Sequence, residues 1–361
     1  MNKKYYNIHN LVSVHISAGV KKWIINQIDF QIGHFEVKNL KEPTYNITIN
    51  SYDDFITKNQ EMSRFHKSYF KSADVLKDPE NNIVIKKKDN GFDIFTDSSI
   101  VINIFLQLIL ANQGIAFVHA AAIKKPNGGV FLLPGGGGVG KTAILGSMVK
   151  NEGFSFLGDD NILLKQDGSC LSFPRSFILK SYHRDVYPEI FKKLSLKQRN
   201  NPLLLKILKF LLKNAPFYNA IKDFLKKKGL YAQVVNSPPI PRDYIADVPV
   251  SEIFGYNSVA SEGMVEKVVF LERYSGSNFT LEPVHSSMLA NRMFSIMNHE
   301  WADYMRELFT YGSTELVNLD TYFKNISNIV NEGIDNKECL LLKIPENAST
   351  DELYHYFSKN I

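Results

Sequence analysis

The chain has 361 residues, 44% of them hydrophobic, and 42 Lys and Arg against 37 Asp and Glu give a formal net charge of +5. That composition is ordinary for a globular protein and leaves room for one large domain or two to three modest ones. The two cysteines, Cys170 and Cys339, lie far apart without metal-ligand spacing, which excludes a disulfide framework and points to a reducing, cytoplasmic compartment.

The N-terminal MNKKYYNIHN has no apolar core, so no secretion signal is expected. Residues 1–97 read as a β-rich domain. Val12 to Ile16 and Asn46 to Ile49 alternate, and Asn82 to Lys87 faces Phe92 to Thr96 across Lys88-Asp-Asn-Gly91, whose Asn-Gly pair favours a hairpin. No chemistry is visible there, and substrate recognition or assembly is the expected role. Ile100 to Val118 is the longest apolar stretch. Four amides and a glycine interrupt it, which argues against a membrane span and for a buried helix followed by a strand. That strand, Val118-His-Ala-Ala-Ala-Ile123, carries His119. It reads either as a hydrogen-bonded core histidine or as a neighbour of the loop that follows.

Gly129 to Leu133 reads as a buried strand and Thr142 to Lys150 as a helix. Between them runs Gly135-Gly136-Gly137-Gly138-Val139-Gly140-Lys141-Thr142-Ala143, which fits G-x-x-x-x-G-K-[ST]. Glycines let successive backbone N–H groups turn onto phosphate oxygens, and the helix N-terminus adds partial positive charge. Lys141 would reach the phosphates and the Thr142 hydroxyl would bind Mg²⁺. A flexible glycine linker is the bland alternative, but a linker has no reason to sit between a strand and a helix.

A second apolar run, Phe154 to Leu157, ends in Gly158-Asp159-Asp160. Adjacent carboxylates at the end of a core strand repel each other, and burial raises their pKa. A cation and a substrate hydroxyl would relieve both effects; a turn or helix cap is the alternative. Arg175 follows by one hairpin's length and, with Arg242, is a candidate to neutralise a transferring phosphoryl group. From Phe191 to Leu230 eleven Lys or Arg stand against one acid, Asp223, with apolar residues at helical spacing. A solvated face, a docking arm for an acidic or phosphate-bearing substrate, and a membrane or nucleic-acid surface all fit this basic insertion. Aromatics do not interleave the cations, so nucleic acid is not expected.

Beyond the Pro-rich 237–249 come a strand at Lys267 to Leu271, helices at His299 to Phe309 and Leu319 to Asn331, and a strand at Cys339 to Ile344. A closing helix is capped by Ser349 with Glu352. The organisation is then 1–97, a core at 98–300 interrupted at 191–230, and a C-terminal segment at 301–361 that completes the core. Asn336-Lys337-Glu338-Cys339 lacks the Asp of a guanine motif.

The order VHAAAI, KKPNGG, VFLL, GGGGVGKT, helix and FLGDD resembles the HPr kinase/phosphorylase family and its HPr-kinase-like relatives, over about 98–182 and loosely over 245–345. The resemblance implies an α/β fold with a phosphoenolpyruvate-carboxykinase-like P-loop nucleotide-binding core. It implies ATP- and Mg²⁺-dependent phosphorylation of a hydroxyl. On that basis Asp159 is the base, Asp160 and Thr142 are Mg²⁺ ligands, Lys141 is the phosphate clamp and His119 an active-site neighbour. Such kinases tend to assemble, which implies a homo-oligomer. The chain departs from HPr kinase proper at Ala143, where that family has an acidic residue. The family's arginine- and glycine-rich signature is also missing; the nearest stretch is Pro238 to Asp243. Those departures turn the expected acceptor toward a small molecule, a peptide or another protein serine. The competing expectation is an ATP-binding regulatory module, without phosphotransfer, whose basic arm docks an acidic partner.

Overall fold

The computed structural model describes residues 3–39, 43–55, 62–65, 68–184, 187–194, 222, 225 and 244–361. Nearly all of the basic insertion and Arg242 lie outside the described residues. The fold is mixed α/β and divides into two compact units. One unit comprises Met1–Phe105, Ser176–Val248 and Ser313–Leu316; the other comprises Leu106–Arg175, Pro249–Gly312 and Val317–Ile361. The described parts of segment 176–248, read from sequence as part of the core, thus group with the N-terminal residues.

The first unit carries β1 (Lys4–Ile8), β2 (Val12–Ile16), β3 (Glu36–Val37), β4 (Tyr45–Asn50), β5 (Ser63–Arg64), β6 (Phe70–Lys71), β7 (Val75–Asp78), β8 (Ile83–Lys88) and β9 (Gly91–Thr96). They form a nine-stranded sheet in the order β3-β1-β2-β4-β9-β8-β7-β6-β5. The β8–β9 hairpin pairs Ile83 with Thr96 through Lys88 with Gly91, so Asp89 and Asn90 form the turn. Gly91, at φ +146°, lies against β4; a Cβ there would fall 1.7 Å from the Asn46 carbonyl oxygen. The β-rich reading omits α1 (Lys22–Ile32), which buries Ile24, Ile25, Ile28 and Ile32 along one face. This unit also holds a short ribbon, β16 (Phe177–Lys180) with β17 (Tyr244–Val248), and α4 (Pro188–Lys193).

The boundary between units falls within α2 (Ile102–Ala111). The second unit contains β10 (Ile115–Val118), β11 (Ala120–Lys124), β12 (Gly129–Pro134), α3 (Lys141–Asn151), β13 (Ser155–Gly158), β14 (Ile162–Lys165) and β15 (Ser169–Leu171). After these come α5 (Val250–Phe254), β18 (Glu262–Tyr274), β19 (Thr280–Pro283), α6 (Ser286–Glu300), α7 (Ala302–Ser313), α8 (Leu319–Ile334), β20 (Glu338–Pro345) and α9 (Thr350–Asn360). The sheet runs β10-β14-β15-β18-β12-β11-β13, with β20 parallel to β18 and β19 beside β20.

The strand expected through His119 is broken there. β10 pairs with β14, whereas β11 pairs with β12 and β13, so the chain changes partners at that single residue. A three-residue link, Asp159 to Asn161, joins β13 to β14. β10–β14 and β11–β13 are opposite ends of the strand order, so these two short links hold the ends of the sheet together. The helix expected at 299–309 is likewise interrupted, because Trp301 caps α6 and is buried against Phe117, with ring centroids 5.8 Å apart. The expected capping box at Ser349 and Glu352 is present on α9. Among the described residues no helix is long and apolar enough to cross a membrane.

Candidate active site

β12 reaches the site as a fully packed strand, antiparallel to β11 and parallel to β18. The glycine run leaves its end and turns into α3 at Gly140, whose φ of +110° suits glycine. Gly138 and Val139 lie between the strand end and that cap, and Ala143 is buried in the first turn, its N–H bonded to the Gly140 carbonyl at 3.1 Å.

Lys141 is only 4% exposed. Its Nζ donates to the carbonyl oxygens of Gly135 at 2.7 Å and Gly136 at 2.9 Å, and lies 3.2 Å from His119 Nε2. An ammonium only donates, so Nε2 is the unprotonated nitrogen of a neutral imidazole. Burial, then the Lys141 charge, push the His119 pKa down to about 4, in keeping with that tautomer. His119 is thus both of the things the sequence left open: a hydrogen-bonded core residue and a neighbour of the loop.

Thr142 Oγ1 donates to Asp159 Oδ2 at 2.8 Å. Asp159 is half-buried as a residue, and its Oδ1 atom is buried with no hydrogen-bond partner. Burial first and the neighbouring Asp160 charge second raise its pKa to about 7, against the opposing pull of Lys141, the Thr142 hydroxyl and Arg175. Asp160 sits at φ +68°, a left-handed position that Asp tolerates, and Arg175 Nη2 meets its Oδ2 at 2.7 Å. The tight turn therefore divides the two carboxylates, one inward to Thr142 and one outward to Arg175. The sequence reading set Thr142 and Asp160 as cation ligands; here the Thr142 hydroxyl bonds to Asp159.

Sequence reasoning missed Glu300. The carboxylate at the end of α6 accepts the Gly137 backbone N–H at 3.2 Å, across 163 residues of chain. No local motif marks it, since only the packing of Trp301 beside β10 brings it to the loop.

Lys141, Thr142, Asp159, Asp160, His119 and Arg175 thus converge where the glycine loop, β10–β11 and β13–β14 meet. Among the described residues no cluster of three or more His, Cys, Asp or Glu has a metal-binding arrangement. A scan against protein-family models finds no match for the chain, and a search of curated proteins finds none.

Proposed function

We propose that this protein is an ATP- and Mg²⁺-dependent kinase that phosphorylates a hydroxyl, built on a P-loop core of the phosphoenolpyruvate-carboxykinase-like type. The observation that carries the reading is the pairing of Thr142, on the first turn after the glycine loop, with Asp159, whose second oxygen is buried without a partner. An orphaned buried carboxyl oxygen is costly in a resting protein and useful beside a cation or an acceptor hydroxyl.

The residues fit both groups. Lys141, the loop amides and the α3 N-terminus would hold the phosphates; Thr142 and Asp160 would hold Mg²⁺ beside Asp159. When bound, the metal nucleotide supplies the transferable phosphoryl group. Asp159 Oδ1 takes the proton from the acceptor hydroxyl while Oδ2 keeps the Thr142 bond, and a pKa near 7 suits a base working at neutral pH. His119 stays neutral and keeps Lys141 pointed into the loop. Arg175 adds positive charge at the outer edge and restrains Asp160. A nucleotide-binding module without transfer would share the cradle but has no use for a carboxyl group poised near neutrality. The acceptor is a hydroxyl of a small molecule, a peptide or a protein serine.

The test is label transfer from γ-labelled ATP with Mg²⁺ to a panel of hydroxyl compounds and peptides. Asp159→Asn should bind ATP as the wild type does and transfer nothing measurable. Equal transfer by the two proteins would remove Asp159 from the chemistry.

A further inference from the structure

Glu300 is the one acidic side chain described in contact with the amides of the glycine run. Its side chain is exposed, but the backbone beneath it is fixed. The next residue, Trp301, is buried, packs on Phe117 and bonds its N–H to the Met297 carbonyl at 3.0 Å. Phe117 in turn stacks edge-on against the fully buried Phe173, with centroids 4.7 Å apart. The backbone that presents Glu300 is therefore anchored in the same core that carries β10 to His119. The carboxylate's field also reaches His119, where it raises the imidazole pKa against the larger effects of burial and Lys141.

A carboxylate is an anion on a donor that a phosphate oxygen would use. From this juxtaposition we propose that Glu300 is an internal competitor for the phosphate cradle, one that makes entry of a polyphosphate depend on its divalent cation. The inference rests on the phosphate-binding reading of the loop. To use the Gly137 N–H, a phosphate group must displace Glu300. A metal-free polyphosphate must then share the site with the displaced carboxylate and with Asp160. A bound cation offsets that repulsion, so the competitor discriminates against the free anion more than against its Mg²⁺ complex.

Calorimetry tests this with pyrophosphate and ATP, each with EDTA and with saturating Mg²⁺, on wild type, Glu300→Gln and Glu300→Ala. Gln keeps an acceptor oxygen and removes the charge; Ala removes both, and unchanged circular dichroism certifies the fold of each. Metal-free affinity should rise about tenfold in Glu300→Ala, the factor that ~1.4 kcal/mol supplies, and by an intermediate factor in Glu300→Gln. With Mg²⁺ the gain should shrink to about twofold or less. Equal affinities for all three proteins would overturn the competitor while leaving the loop's ligand intact. Weaker Mg²⁺-nucleotide binding by the variants would make Glu300 a ligand and overturn it too. Absence of binding by every protein would sink the phosphate reading itself and the inference with it.

Discussion

Removing the charge of Asp159 should stabilise this protein while abolishing its proposed activity. In the folded chain the carboxyl pKa is raised from 3.8 to about 7, first by burial and then by Asp160. The unfolded chain therefore loses this proton at lower pH than the folded one. Between those pKa values the folded state binds more protons, so stability falls as pH rises from about 4 to about 7 and stays low above it. At about 1.4 kcal/mol per unit, the penalty is on the order of 4 kcal/mol at pH 8 and about 2 kcal/mol at pH 5. Asn matches the neutral carboxyl in shape, can still accept from Thr142, and carries no such penalty. Thermal unfolding of wild type and Asp159→Asn in EDTA, at pH 5 and pH 8, reads the difference directly. The variant should melt several degrees higher at pH 8, with the gap roughly halved at pH 5. A variant no more stable than wild type at pH 8 would refute the claim that this carboxylate is held at a cost.

Other expectations follow from the same geometry. Lys141→Ala removes the donor shared by the Gly135 and Gly136 carbonyls, and should weaken ATP binding by calorimetry at least about tenfold. The pH–rate profile should show an acid limb, falling tenfold per unit as Asp159 protonates and lying below the metal-free carboxyl pKa because a bound cation favours the carboxylate; Asp160→Asn, by removing the second cause of the raised pKa, should shift any residual activity's limb further downward. Gly91→Ala places a methyl group 1.7 Å from the Asn46 oxygen at a left-handed φ, and should cost at least about 2 kcal/mol in urea unfolding.

What was legible in the sequence is what short stretches of chain encode. The glycine run sits between a strand and a helix because apolar runs flank it, and the Asn-Gly pair announces the β8–β9 hairpin, although the turn itself falls on Asp89 and Asn90, with Gly91 already paired to Lys88. Arg175 could be placed near the aspartates because a single hairpin, β14–β15, separates them. The helix α1 was hidden by the stronger alternation on either side of it, although its isoleucines carry a helical stripe. The break at His119 could not be read, since Val118 to Ile123 is uniformly apolar around it and only the change of strand partners divides it. β18 extends well past Lys267 to Leu271 because its ends pair with β15 and β20, which lie far off in sequence. Glu300 shows the same limit at the site: its role depends on a contact that no local pattern announces.

The two links that close the sheet, His119 and Asp159 to Asn161, are also where the candidate chemistry sits. They are too short to breathe independently of the strands they tie. Melting of the second unit and disassembly of the site should therefore be one event, with no inactive but folded form on the way. An inserted residue in either link would slide a whole strand against its neighbour and take the machinery with it, where a surface loop would simply bulge.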